Sequence, residues 1–277
     1  MKRLVTIQDI SCVGKCSLTV ALPIISCMGI ETAVIPTAVL STHTMFKNFT
    51  YRDLTNDLPL IKKHWKEEKI KFDGIYTGYL GSIEQIDMLK EFFKEFKKED
   101  NFIFIDPVMG DNGKLYTGFN QEFADQMAIL CNQADVIVPN LTEASYMLKK
   151  QYKENYSEDE IKQILIELSD LGPKQVILTG ISFNNNELGV MTYNKETKEY
   201  FSYFREKINV KYHGTGDIFA STCVGAILNG NSIEESTKIA VDYVWETIKD
   251  TFNEKKENAY GVNFETKIPY LLNRIKK

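Results

Sequence analysis

Short apolar runs alternate with amphipathic stretches from the first residues to about residue 180, and this alternation constrains the fold more than any other feature of the chain. Leu4–Ile7, Thr32–Val39, Gly74–Tyr76, Phe102–Ile105, Asp135–Val138 and Gln175–Leu178 are rich in Val, Ile and Phe and read as buried strands. Helical patterns run between them, over Lys15–Met28 (stopped by Gly29), Leu54–Glu68, Ser82–Lys98, Gln121–Asn132, Leu141–Lys149 and Glu158–Leu171. Strands that are apolar throughout, rather than at every second residue, belong in a sheet covered on both faces. Repeated strand–helix–strand units require parallel strands joined by crossover helices. The expected fold is α/β: three layers, α/β/α, around a mostly parallel central sheet. Leu188–Tyr193 and Glu199–Phe204 break the pattern and predict a small late β-hairpin. Helices over Asp217–Leu228 and Ser232–Asp250 and a short terminal one follow, with the polar stretch Phe252–Asn258 read as a surface loop. With no internal repeat and no low-complexity linker, residues 1–277 are expected to form a single domain.

In open α/β sheets, ligands bind beyond the carboxyl ends of the strands. The residues after each expected strand therefore carry the functional information. They are Gln8-Asp9-Ile10-Ser11, Ser41-Thr42-His43-Thr44, Gly78-Tyr79-Leu80-Gly81, Asp106-Pro107-Val108-Met109-Gly110-Asp111, Asn140-Leu141-Thr142-Glu143 and Thr179-Gly180. Each set holds groups suited to phosphate, metal or a polar small molecule. Asp106 and Glu143 are candidate metal carboxylates, because Mg²⁺ keeps most of its waters and takes only one or two carboxylates.

Near the end of the chain, Gly214-Thr215-Gly216-Asp217 precedes an apolar helical run. Glycines allow a tight turn and close approach to a ligand, and the unpaired first amides of a helix favour an anion. An Asp at such a turn can accept a proton from a hydroxyl while the amides hold a phosphate. Asp217 could equally serve as the helix N-cap, since Asp is a favoured cap. Gly14-Lys15-Cys16-Ser17 imitates the end of a P-loop, but a P-loop needs Gly five residues before Gly14, and Asp9 stands there.

A net charge of −5 argues against a nucleic-acid surface. No segment approaches the roughly 18 consecutive apolar residues of a membrane span, and the apolar run after Met1-Lys2-Arg3 is too short for a signal peptide. Five cysteines without a C-x-x-C pair read as free thiols of a cytoplasmic protein.

Taken together, Gly214-Thr215-Gly216-Asp217, Asp106-Pro107-Val108-Met109-Gly110-Asp111 and Asn140-Leu141-Thr142-Glu143 resemble the signature set of the ribokinase-fold vitamin kinases. Ser41-Thr42-His43-Thr44, Gly78-Tyr79-Leu80-Gly81 and Ser11 narrow the resemblance to the pyridoxal kinases, over about residues 3 to 250. The resemblance implies ATP-dependent phosphorylation of the hydroxymethyl group of a B6 vitamer. Asp217 would be the base, and Gly214, Thr215 and Gly216 would donate amides to the transferring phosphate. Asp106 and Glu143 would organise Mg²⁺ through water. Asn140, Thr179 and Gly180 would contact ATP phosphates, and a loop from Asp111 through Tyr116 would cover them. Ser11, His43, Thr44 and Tyr79 would line the pyridine pocket. A monovalent cation and a homodimer are implied in the same way. Thr37-Ala38-Val39 is also similar to hydroxymethylpyrimidine kinases of thiamine synthesis, whereas His43 fits the pyridoxal side. A hydroxymethylpyrimidine/phosphomethylpyrimidine kinase and a non-catalytic ligand-binding relative stay open as alternatives.

Overall fold

A computed structural model of the chain describes residues 1–254 and 260–275. By internal contacts the chain divides into two units, Met1–Gly81 with Ile208–Lys277, and Ser82–Lys207. The architecture is the expected α/β one, with mostly parallel strands in each unit.

The first unit opens with β1 (Arg3–Ser11), α1 (Leu18–Cys27), β2 (Glu31–Leu40), β3 (Tyr51–Asp53), α2 (Leu58–Glu67) and β4 (Gly74–Thr77). β1 pairs in parallel with β2 on one side and β4 on the other. Six consecutive β1 residues, Leu4 to Asp9, are buried, so both faces of the strand are covered. β1 runs through Gln8–Ser11, so these residues belong to the strand rather than follow it. The register between β1 and β2 shifts between Gln8 and Ile10, with Thr37 and Ala38 of β2 opposite the single residue Asp9, so the extra residue of this bulge lies in β2; bulges bend a strand and re-aim its side chains. α1 begins at Leu18 rather than Lys15, because Lys15 and Ser17 have φ of 48° and 50°, outside the helical region. β3, which pairs antiparallel with β2, carries no apolar run that could announce it.

The second unit holds α3 (Ile83–Phe96), β5 (Phe102–Ile105), a two-stranded ribbon of β6 (Gly110–Asp111) and β7 (Lys114–Leu115), α4 (Gln121–Cys131), β8 (Val136–Ile137), α5 (Leu141–Met147), α6 (Glu158–Asp170) and β9 (Gln175–Ile181). The expected hairpin follows as β10 (Glu187–Asn194) and β11 (Tyr200–Glu206), paired antiparallel to one another, with β10 also antiparallel to β9. Within the unit the strand order is β11-β10-β9-β8-β5, and β5, β8 and β9 are parallel. α6 shows why these segments are helical. Ser157 and Glu160 form a reciprocal capping box, and Ile161, Ile164, Leu165 and Leu168 fall on one buried stripe. Each such apolar side chain contributes about 1.5–3 kcal/mol on full burial.

The chain then returns to the first unit with α7 (Thr215–Leu228), α8 (Ile233–Asn253) and α9 (Ile268–Arg274). α7 packs against both α1 and α8. It starts at Thr215, two residues earlier than the sequence suggests. Phe252 and Asn253, expected in a loop, are the last residues of α8; residues 255–258 of that expected loop lie outside the described residues.

Candidate active site

In the first unit the glycine-rich turn and the strand ends converge on one carboxylate. Gly214 is the N-cap of α7, with a left-handed φ of 79°, and a Cβ there would stand 2.2 Å from the Lys15 carbonyl oxygen. Only glycine satisfies both constraints. Asp217 is therefore not the cap. It occupies the first turn, where its carboxylate accepts the Ser17 backbone N–H. Asp217 is half-buried, and the crowding of protein atoms around its carboxyl, with help from the Asp9 charge, raises its pKa to about 7 against the pull of the Ser17 amide. A carboxyl titrating near neutrality is matched to general-base work. The amides of Thr215, Gly216 and Asp217 begin the helix, and Gly216 opens onto free space.

Asp9 has no role of its own in the sequence reading, yet it is the neighbour that links these groups. It is buried in β1 opposite the bulge in β2, accepts the Ser11 hydroxyl at 3.0 Å and also bonds the Ser17 side chain. Burial raises its carboxyl above the usual range, opposed by these hydroxyls and by His43. Ser11, expected to face a ring substrate, is thus occupied at least in part by Asp9.

His43 is buried in the loop that Ser41 and Thr50 close through two hydrogen bonds. Its Nδ1 accepts the Met45 N–H at 3.3 Å. Its ring stacks on His213 with centroids 4.1 Å apart, and meets Phe46 edge-on at 4.9 Å. Burial, with His43 beside it, lowers the His213 pKa to about 4, so His213 is neutral at physiological pH. His213 precedes Gly214, so the stack joins the expected ring-binding loop to the glycine-rich turn. Position beside Gly-Thr-Gly-Asp is the one sequence signal that could have flagged His213. Thr44 is exposed. Tyr79 is half-buried at the end of β4, and burial with the nearby Tyr51, Asp9 and Asp53 holds its hydroxyl above its usual pKa. Ser11, His43, Asp217 and Tyr79 are linked through their shared neighbour Asp9.

In the second unit the expected nucleotide and metal residues gather around the start of α5. Asn140 caps it, accepting the Thr142 and Glu143 amides at 2.8 and 3.0 Å. Glu143 reaches back to the Asn140 N–H at 2.8 Å, and its other oxygen accepts the Met109 N–H at 3.2 Å. Asn140 also donates to the Gly110 carbonyl. Glu143 is buried, and desolvation raises its carboxyl to about pH 8 despite these amides. Asp106, also buried, follows β5. Burial raises the Cys131 thiol, and the Glu143 and Asp106 charges push it in the same direction, which places the two carboxyls in one neighbourhood. Thr179 bridges to Asn140 and bonds the Pro139 carbonyl, and Gly180, with φ of 75°, lies at the end of β9 beside free space. Asp111 belongs to the β6–β7 ribbon, whose turn is Asn112-Gly113 with positive φ at both positions. This is the preferred composition of a tight hairpin turn, and it was legible in the sequence. The Gly113 amide bonds the Thr142 hydroxyl, tying the ribbon to the start of α5. Tyr116, just beyond, is exposed and bonds Met109 through its backbone. Among the described residues no group of three or more His, Cys, Asp or Glu side chains could hold a metal ion.

The sequence profile described as phosphomethylpyrimidine kinase matches residues 32–262. A protein of Bacteroides thetaiotaomicron provisionally assigned as a phosphomethylpyrimidine kinase, crystallised with pyridoxal, is 39% identical, with a TM-score of 0.94 over 98% of this chain and 95% of that one. Pyridoxal kinase from Lactobacillus plantarum is 27% identical, with a TM-score of 0.91 over 99% of this chain and 97% of its own. A pyridoxal kinase of Dictyostelium discoideum is 27% identical over 274 residues, which covers 92% of this chain and 88% of the relative.

Proposed function

The chain belongs to the phosphomethylpyrimidine kinase family, and from that membership we propose that it phosphorylates the hydroxymethyl group of a B6 vitamer (pyridoxal, pyridoxine or pyridoxamine) with ATP. The observation that carries the reaction is Asp217: a carboxyl raised to about pH 7, set in the first turn of α7 behind Gly214-Thr215-Gly216. Asp217 takes the hydroxyl proton as the alcohol oxygen bonds the γ-phosphorus and the bond to the ADP oxygen breaks. The amides at the start of α7 stabilise the charge on the transferring group. Support for the vitamer comes from the relative crystallised with pyridoxal and from the pyridoxal kinases that match nearly the whole chain.

Asn140, Thr179 and Gly180 serve the ATP phosphates in this reading, and the ribbon from Asp111 to Tyr116 covers them. The donor set fits a hydrated Mg²⁺. Both Glu143 oxygens already accept backbone N–H groups, so Glu143 would hold the ion through water, with Asp106 as the second carboxyl of that neighbourhood. When bound, Mg²⁺ neutralises charge on the phosphates. Glu143→Gln raises the Mg²⁺ concentration needed for half-maximal rate and leaves pyridoxal binding unchanged. It also lowers the melting temperature, since an amide N–H₂ then faces one of the two backbone donors. An unchanged Mg²⁺ titration with a lowered melting temperature would confine Glu143 to capping α5.

Ser11, His43, Thr44 and Tyr79 read the ring. His43→Ala lowers kcat/KM for pyridoxal about tenfold, the cost of one hydrogen bond to a polar ring, and leaves KM for ATP within about twofold. Weakened ATP use alone would place His43 on the wrong substrate.

A second reading, a hydroxymethylpyrimidine/phosphomethylpyrimidine kinase, is favoured by the family profile itself. Steady-state rates with the three vitamers and hydroxymethylpyrimidine decide between them. Faster turnover of the pyrimidine than of every vitamer gives the second reading its place. The same proposal takes residues 1–277 as one kinase domain, acting as a homodimer in the cytoplasm; light scattering of the purified protein tests the dimer. No helix among the described residues is long and apolar enough to cross a membrane.

A further inference from the structure

Gly14-Lys15-Cys16-Ser17, the segment that imitates a P-loop, has no phosphate-binding role in the reaction above, yet its backbone is the most contorted near the site. Gly14, Lys15 and Ser17 have φ of 122°, 48° and 50°. A residue other than glycine held at positive φ costs on the order of 1–3 kcal/mol and persists only where its surroundings over-determine it. Here the surroundings are a strap that follows α8. The Lys15 ammonium lies 3.1 Å from Asn263 Oδ1 and 2.9 Å from Glu265 Oε2, and 5.9 Å from the centre of the Phe264 ring. The strap is itself anchored to α8. Tyr243 donates its hydroxyl to the Phe264 carbonyl at 2.8 Å, the Asn263 N–H donates to the Thr251 hydroxyl at 2.8 Å, and Asn263 Nδ2 donates to Glu254 at 2.7 Å. Gly261 sits so close to the loop that a Cβ would meet Lys15 Cβ at 3.1 Å and the Gly14 carbonyl at 3.3 Å.

The loop so held touches the catalytic turn at two points. The Lys15 carbonyl packs against Gly214, and the Ser17 N–H bonds the Asp217 carboxylate. We propose that Lys15 is a positioning residue for the base: its ammonium, clamped by Asn263 and Glu265, fixes the loop so that the Ser17 amide aims the Asp217 carboxylate. The proposal rests on the reading of Asp217 as the base. In this role Lys15 acts on the base through two backbone groups, its own carbonyl against Gly214 and the Ser17 amide on Asp217. An ordinary exposed ion pair contributes about 0–1 kcal/mol and would leave turnover alone.

The test uses full-length Lys15→Met, which keeps the aliphatic stem and removes the charge, with Lys15→Arg and Glu265→Gln beside it. Two quantities are measured: steady-state kinetics with pyridoxal and Mg-ATP, and amide hydrogen exchange of residues 13–17. Misplacing a catalytic group from a distance costs up to about 100-fold. The expected result is a loss of kcat of about tenfold or more in Lys15→Met, a smaller loss in Glu265→Gln, and recovery of most of it in Lys15→Arg. KM for ATP stays within about twofold. Exchange over residues 13–17 accelerates in Lys15→Met and Glu265→Gln while the interior of α1 keeps its protection. An unchanged kcat in Lys15→Met overturns the proposal, as does a loss of kcat without faster exchange over residues 13–17. If Lys15→Met does not fold, Glu265→Gln carries both readouts with the same criteria. A wild-type protein that turns over no B6 vitamer would sink the functional reading, while exchange at residues 13–17 would still report on the clamp.

Discussion

Asp217→Asn loses most of its turnover, by about 10²–10⁴-fold in kcat, while its affinity for ATP stays near that of the wild type. The amide keeps an oxygen to accept the Ser17 N–H but has no basic lone pair for the substrate proton. The wild-type pH profile gives the independent check. Asp217 must be ionised to act, so log kcat rises with pH and levels off above about pH 7, and the variant's residual rate lacks that limb. The same carboxyl affects stability with a definite sign. Its folded pKa lies above the unfolded 3.8, so its contribution to stability falls as pH rises from about 4 through 7. Asp217→Asn therefore melts higher than wild type at pH 8, and the gap closes toward pH 4. Retention of near wild-type kcat would reduce Asp217 to a helix-start charge.

Gly214→Ala is expected to damage both fold and function. The left-handed backbone at Gly214 costs an alanine about 1–2 kcal/mol, and its Cβ would stand 2.2 Å from a backbone oxygen that cannot rotate away. Either the Lys15 carbonyl or the start of α7 must shift. In both cases the Ser17–Asp217 contact moves with it. The melting temperature falls by several degrees, and kcat falls more than KM for either substrate. Gly216→Ala is the control. A Cβ at Gly216 meets no atom within 4 Å, so the variant retains the wild-type melting temperature and changes only the kinetics. Equal melting temperatures for the two variants would refute the steric account of Gly214.

Local signals carried most of the fold. β5 is residue for residue the apolar run Phe102–Ile105, and α6 begins where its capping box says it should. The errors share one physical origin. Periodicity continues a helix back to Lys15, but contacts with Gly214 and residues 261–265, far along the chain, accompany the positive φ of Lys15 and Ser17. β3 is Tyr-Arg-Asp, exposed along its length, and pairs with β2 without an apolar pattern of its own. At the site, residues with strong chemical types in short motifs were legible: Asp217, Asn140, Glu143 and His43 all lie in the expected loops or helix starts. Asp9 and His213 were not singled out, because what makes them notable is tertiary. Asp9 matters through a bulge and two hydroxyls, and His213 through a ring contributed from 170 positions earlier in the chain, at His43.

The separation between Lys15 and Asn263, 248 positions, has a consequence for how the molecule is made. Synthesis proceeds at about 5–20 residues per second and folding can begin on the emerging portion. The whole of Ser82–Lys207 is made between the two stretches of the first unit, so it can reach its native contacts while its neighbour is still half-built. Closing a loop as long as that from Lys15 to Asn263 carries a larger entropic cost than any local contact, and it cannot begin until the strap has left the ribosome. By then Asp217 and its glycines have long been translated. The segment at residues 14–17 meets Asn263 and Glu265 only once a strap made nearly 250 positions later has emerged, so under the proposed role of Lys15 competence arrives late in biogenesis, and a nascent chain halted after residue 230 holds every expected site residue without that clamp.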